Sequence, residues 1–443
     1  MILKSILLIL LPVLLTGVYL ISSDKNFVGV IAFAMLVSSI FLTNFAKKPI
    51  WGLFLLIAAM QWFQLMGLFA TLYLIPVGII FLAFYVFSQK DLKIDKWWWM
   101  CVLITFGYVG LVFAARPYKI VLMFFFMNML AFLLFMLVSL MDWTKEKVQY
   151  FLNIYLFYMI SWAFIERLIS YGDRVEGPSL SSTNFGVFLA VAWIIWFING
   201  WMNLKYRYVS LIGVSLLVAI CVFLSGTRMG ILGMGMGMCL AFFCYVLKKH
   251  HDRIVFLLMQ YGIYLALLIP VGVAVWYIIP DGLFLKKGMD ALGHGKLDYS
   301  SIGRIGAWLT ALDVIHTDPL WGAGPGNFLD KNVEFLDKLQ FLPFNNRIPR
   351  LGHAHNLLLM VLSEQGLIGF CALMSVCGIC FARLARYILR TWDPLGLALA
   401  SGILVTVALG MFDVFPLFPS SLGFGAWMMA VAFSQRPPQS PKL

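Results

Sequence analysis

Apolar residues run in long blocks along most of this chain, and polar residues are confined to the gaps between them. Blocks of 17 or more residues begin near positions 3, 26, 50, 70, 97, 119, 148, 184, 208, 229, 254, 355, 394 and 416. A helix of that length crosses the hydrocarbon core of a bilayer. Backbone groups in hydrocarbon must pair within their own segment, so helices are the economical way across. The predicted fold class is therefore all-α: a polytopic transmembrane helix bundle of about 12–14 spans, with one long outer loop containing short helices. Three regions follow: an N-terminal transmembrane bundle (1–278), the loop (279–354) and C-terminal transmembrane helices (355–443).

Composition agrees with this pattern. Of the 443 residues 62% are hydrophobic and 12% charged, and such a chain has more apolar surface than a water-soluble core can hide. Residues 1–22 read as an uncleaved first span, because a second apolar run follows at once without a small-residue cleavage site. The seven cysteines all fall in apolar runs, which excludes a disulfide framework in the loop. Cys377-Gly-Ile-Cys380 has metal-ligand spacing but no second pair to complete a site. The net charge of +12 is dispersed over membrane loops rather than gathered on one domain, so no nucleic-acid partner is expected.

Charge also orients the bundle. With the N-terminus inside, 18 of the 32 basic residues fall in inner segments, among them Lys47, Lys48, Lys96, Lys145, Lys147, Arg383 and Arg386. Six fall in the short outer connections: Lys25, Arg116, Lys119, Arg167, Arg174 and Arg228. This bias matches the positive-inside rule and puts the loop on the outer face.

The loop is polar and nearly neutral, with eight basic residues, eight acidic residues and three histidines. Loops this long in a compact protein are usually functional. Residues 303–316 show helical periodicity, with Ile305, Trp308, Leu309, Leu312 and Ile315 on one face, suited to the membrane interface or to packing on the bundle. Asp318-Pro319 ends the helix, and Gly322-Ala-Gly324-Pro325-Gly326-Asn327 makes a sharp turn.

Four outer-face segments carry candidate chemistry: Arg174 to Gly186, Ser225 to Arg228, Gly303-Arg304, and His353-Ala-His355-Asn356. Arg228 reads either as a helix-end anchor or as an anion site, since a guanidinium grips phosphate oxygens in bidentate fashion. Arg174 and Arg304 read either as ordinary loop charges or as further anion ligands. Arg304 has the added feature of heading a helix whose free N–H groups favour an anion. Gly226, Gly230, Gly233 and Gly237 form a small-residue face for close helix packing. His353 and His355, two apart, would diverge on a helix, and no third metal ligand is evident. A neutral histidine at the membrane surface is suited to general-base work. Glu364 and Asp413 are acids inside apolar runs, a placement that points to function. No Walker A, GxSxG, HExxH or DxD motif is present, which argues against nucleotide-dependent transfer and leaves metal-independent chemistry on a lipid-linked substrate open.

These segments resemble the O-antigen ligase and polymerase superfamily of bacterial membrane glycosyltransferases. His355-Asn356, nine residues and Gly366 are similar to the ligase signature; Phe370 stands where that signature carries Gly, Thr or Tyr, with Gly369 one place earlier. The Arg174, Ser225–Arg228 and Gly303–Phe328 segments resemble the family in order and spacing over residues 170–380. The resemblance implies a bacterial inner-membrane enzyme with its active face and long loop in the periplasm. It implies transfer of a glycan from undecaprenyl diphosphate to a lipid A-core acceptor (a ligase) or to a second lipid-linked glycan (a polymerase). It further implies no metal and no cofactor, a diphosphate held by Arg228, Arg304 and Arg174, and acceptor activation by His355. His353, Asn356 and Gly326 would contribute to substrate binding. A lipid-linked glycan flippase or transporter is the rival from another class; such proteins carry internal repeats, and the halves of this chain show none.

Overall fold

A computed structural model describes residues 47–61, 75–89, 94–115, 121–169, 174–178, 181–203, 208–249, 299–338, 349–413 and 419–435, with a few isolated positions beside them. The spans expected near positions 3, 26 and 254, and the loop segments 279–298 and 339–348, lie outside these residues. Among the described residues the chain is all-helical, without strands. The helices are α1 (Pro49–Gln61), α2 (Ile75–Phe87), α3 (Lys96–Ala115), α4 (Val121–Val138), α5 (Lys145–Ile169), α6 (Ser182–Met202), α7 (Tyr208–Leu224), α8 (Arg228–Lys249), α9 (Tyr299–Thr317), α10 (Phe328–Lys338), α11 (Leu357–Thr391), α12 (Pro394–Gly410) and α13 (Pro419–Ser434). Four of them, α5, α6, α8 and α11, are long and apolar enough to cross a membrane, and shorter apolar helices accompany them.

The chain divides into two compact units. The first is Met1–Ala241 with Cys371–Gly410 and Phe415–Leu443; the second is Phe242–Phe370 with Met411–Val414.

In the first unit α6 is the central helix, apolar on all sides and almost entirely buried against α5, α7, α12 and α13. Such a helix has no solvent face, so its few polar groups bond to neighbours. Trp196 donates to Asn153 (2.6 Å), Trp193 to Ser215 (2.9 Å), and Asn199 to both the Lys145 carbonyl (3.0 Å) and Gln149 (2.8 Å). An aromatic stack of Phe151, Trp427, Tyr155 and Phe424 fills the space between α5 and α13. The glycine face of α8 packs closely, as its sequence predicts: a Cβ at Gly237 would lie 2.1 Å from Ile194 of α6. Outer apolar faces stay uncovered, as at Phe84, Leu103, Val209, Ile212 and Phe223, which suits a lipid surround.

The two ends of this unit differ in charge. The Asn199–Lys145 bond puts the end of α6 beside the start of α5. Lys48 and Lys147 line one cavity of about 520 Å³ at that end. The start of α3 joins it, because Trp98 donates to the Met136 carbonyl near the end of α4 (3.1 Å). There Asp95 pairs with Arg383, whose Nε donates to the Phe433 carbonyl (2.9 Å). Lys48, Lys145, Lys147 and Arg383, which the sequence assigns to inner segments, thus share one end. Arg174 and Arg228 occupy the other.

In the second unit α9 and α10 pack through small residues. Ala307, Ala311, Phe328 and Ala354 form the core, bordered by Leu351, Leu359 and Met360. Asn332 stitches the layers, donating to Thr310 (2.8 Å) and accepting from the Leu351 N–H (2.8 Å). The helix predicted over 303–316 is present, but its large apolar residues are not its packing face. Ile305, Trp308, Leu309 and Leu312 are exposed. Periodicity identifies an apolar face without saying whether protein or lipid covers it, and among the described residues nothing in the second unit covers this one.

Candidate active site

The first unit joins two of the four predicted segments. Val175 N–H donates to the Leu224 carbonyl (3.1 Å), drawing the Arg174 segment against the α7–α8 turn. Glu166, near the end of α5, accepts from the N–H groups of Glu176 (2.7 Å) and Gly177 (2.9 Å) and shapes that segment. Sequence reasoning missed Glu166 because an acid near a helix end carries no local sign of what it will bind. The Arg174 side chain lies over Gly226: a Cβ there would meet its Nε at 3.1 Å. Gly226 also has φ +62°, so the turn needs glycine for both space and conformation. Ser225 and Thr227 hydroxyls bond each other at 2.9 Å beneath it. Arg174 and Arg228 are both exposed, with Arg228 the first residue of α8.

The second unit joins the other two segments. Gly303 packs against Pro349 and Leu351, so α9 lies along the segment that leads to the histidines. Helix α9 begins at Tyr299, earlier than the sequence suggests. The free N–H groups of its first turn therefore belong to residues 299–302, and Arg304 sits inside the helix, which corrects the expectation that it heads one. What Arg304 offers is its side chain. That side chain is half-buried, and its Nε–H is buried without a hydrogen-bond partner.

His353 and His355 do not diverge. His355 has φ +47°, a left-handed conformation that costs a non-glycine residue about 1–2 kcal/mol. The bend brings the two rings to 4.1 Å between centroids, nearly edge to face. Asp413, just beyond α12, completes the cluster: its Oδ1 stands 3.4 Å from His355 Nδ1, within ion-pair range but without hydrogen-bond geometry. The third candidate ligand that the sequence does not make evident is Asp413, and one donor atom from each of His353, His355 and Asp413 lies within 4.8 Å of the others. Burial, reinforced by His355 and Arg304 and opposed by Asp413, holds His353 down at about 4, so its ring is neutral near pH 7.

Two residues predicted to contact substrate are engaged within the protein. Asn356 caps α11, accepting from the Leu359 N–H (3.0 Å), while its amide donates to the Met411 carbonyl (2.8 Å). It thereby fastens the His355 segment to the strip that carries Asp413. Gly326, with φ +83°, donates its N–H to Glu364 (2.9 Å). Glu364, the other acid within an apolar run, is buried and takes the Phe328 N–H as well (3.2 Å), capping α10.

The glycine of the His-Asn-x9-Gly pattern has a structural reason. Gly366 interrupts α11 with φ +62° and ψ −170°. It lies against the backbone of the glycine turn, where a Cβ would come within 2.2 Å of the Leu320 carbonyl oxygen. Gly322 (φ +65°) meets it from the other side, 2.5 Å from the Ser363 carbonyl on the same measure. Backbone bonds Ala323 N–H to Ser363 O (2.7 Å), Gly324 N–H to Glu364 O (2.8 Å) and Leu367 N–H to Pro319 O (2.8 Å) lock the two segments together.

Comparison with known proteins agrees with the motifs. Residues 213–374 match the family model for O-antigen ligase. This match supports placing the chain in the O-antigen ligase superfamily. The matched stretch contains Arg228, Arg304, Gly326, His353, His355 and Asn356, and leaves Arg174 and Asp413 outside. No curated protein matches the chain.

Proposed function

We propose that the protein is a membrane glycosyltransferase of the O-antigen ligase type, moving a glycan from a lipid diphosphate to an acceptor hydroxyl at the outer, periplasmic face. The observation that carries this reading is the His355–Asp413 pair in one unit with Arg304, whose Nε–H is buried without a hydrogen bond, His355 and Arg304 both lying in the stretch similar to the O-antigen ligase family.

The chemistry needs two things. An attacking sugar hydroxyl must lose a proton, and a departing diphosphate must have its growing negative charge met. With Nδ1 turned to Asp413, the other ring nitrogen of His355 is the one to take the acceptor proton, and the carboxylate stabilises the resulting imidazolium. Arg304 supplies fixed positive charge for the leaving diphosphate without a metal. An arriving anion would give its buried N–H a partner. Arg228 and Arg174 are proposed as further diphosphate ligands on the sequence resemblance. The donor proposed is undecaprenyl-diphosphate-linked glycan and the acceptor a lipid A-core, in the bacterial inner membrane.

The test is complementation of surface-glycan display in a strain lacking this protein, with membrane levels matched. His355→Ala and Arg304→Ala should each abolish display of long glycan. Normal display in both overturns the mechanism. The gel pattern of the deletion strain separates the reactions: a bare core indicates a ligase, and a core bearing a single repeat unit indicates a polymerase.

A further inference from the structure

We infer that His353, His355 and Asp413 form a binding site for a divalent transition-metal ion of the zinc class, and that its occupation stops glycosyl transfer. The first half stands on geometry alone; the second rests on the reading of His355 as the base.

Two imidazoles and a carboxylate make a donor set suited to Zn²⁺, with ligand bonds of about 2.0–2.2 Å. In a tetrahedral site such bonds put donor atoms roughly 3.3 Å apart. His355 Nδ1 and Asp413 Oδ1 already stand at 3.4 Å. No pair among the three side chains exceeds 4.8 Å, so closure around an ion requires small side-chain rotations rather than refolding. The backbone is arranged for it: the left-handed His355 turns both rings to the same side, and Asn356 ties this turn to Met411, two residues before Asp413. His355 Nδ1 is buried and makes no hydrogen bond, so the tautomer protonated on Nε2 presents the Nδ1 lone pair to an ion.

Arg304 works against the ion. Its charge is near enough to be felt by His353, and a cation held there must overcome that repulsion. With an ion on Nδ1 the neutral ring keeps its one proton on Nε2, the nitrogen that would otherwise take the acceptor proton, so a bound ion and a working base exclude each other.

The experiment is titration of the purified full-length protein with Zn²⁺ alone. One saturable equivalent is expected. His353→Gln and Asp413→Asn should each weaken binding by at least the roughly tenfold that loss of a mere supporting group costs a metal site. Arg304→Gln should tighten it. X-ray absorption at the zinc edge, on the unmutated protein, should show two imidazoles in the coordination shell whether or not the variants fold. Absence of saturable binding, unchanged affinity in both ligand variants, or a shell without imidazole overturns the site. In a transfer assay, Zn²⁺ should inhibit with a midpoint equal to its dissociation constant, and a chelator should restore the rate. Binding without inhibition overturns the regulatory half. Normal transfer by His355→Ala would refute the proposed base while leaving the titration result intact.

Discussion

At the residue scale, the site depends on an imidazole held in an unfavourable conformation beside a carboxylate 58 positions away in sequence. Asp413 has no hydrogen bond of ideal geometry to His355, yet it is the acid facing its ring. Loss of the base should slow transfer by roughly 10²–10⁴-fold. His355→Ala should therefore lower kcat in a reconstituted assay while the KM for donor changes little. Arg304→Ala should lower kcat too, whereas Arg304→Lys restores charge but not the planar fork and should recover activity only in part. A KM effect alone in Arg304→Ala would mean that it binds the donor without favouring the transition state. Asn356→Ala should reduce kcat through misplacement of His355, with an accompanying loss of stability from the lost cap of about 0.5–2 kcal/mol.

Among the elements, the paired turns at Gly322 and Gly366 carry the geometry of the second unit. Each glycine has a positive φ and sits against the other segment's backbone. Gly366→Ala should destabilise the protein by more than the roughly 1–3 kcal/mol of backbone strain at φ +62°, ψ −170°, because its Cβ would also meet the Leu320 carbonyl. Thermal unfolding of the detergent-solubilised protein checks this. Glu364→Ala leaves the N–H groups of Gly326 and Phe328 without their acceptor, at about 1–3 kcal/mol for each that stays buried. Glu364→Gln keeps an acceptor oxygen and should be milder; equal losses in the two variants would show that the bonds contribute nothing.

Much at this scale is legible in the sequence. The loop helix, its stop at Asp318-Pro319 and the glycine turn are all present where local chemistry puts them. The partners are not legible. Glu166 with Gly177, Asn356 with Met411 and His355 with Asp413 are contacts set by tertiary packing, which leaves no periodic or local trace. The exposed apolar face of α9 shows the converse failure: the pattern is correctly read, but the medium that covers it is not written in the pattern.

For the molecule as a whole, the charge asymmetry of the first unit makes a topological prediction. Lys48, Lys147 and Arg383 share the end opposite Arg174 and Arg228. By the positive-inside rule the first end faces the cytoplasm. With the native cysteines replaced, Glu176→Cys should react with a membrane-impermeant maleimide added to intact spheroplasts, and Asp142→Cys should react only after lysis. The reverse pattern would put the arginines on the cytoplasmic side and remove the basis for a periplasmic reaction. Both positions are exposed, so failure to label cannot be ascribed to burial.

The central claim is that His355 and Asp413 act as one proton-handling unit, and a double-mutant cycle on kcat tests it most directly. Purified wild-type protein, His355→Ala, Asp413→Asn and the double variant would be compared in a lipid-diphosphate glycan transfer assay. The account predicts that each single variant loses most of the rate and that the double variant is no worse than His355→Ala. Losses that multiply, or single variants that transfer at the wild-type rate, would contradict it.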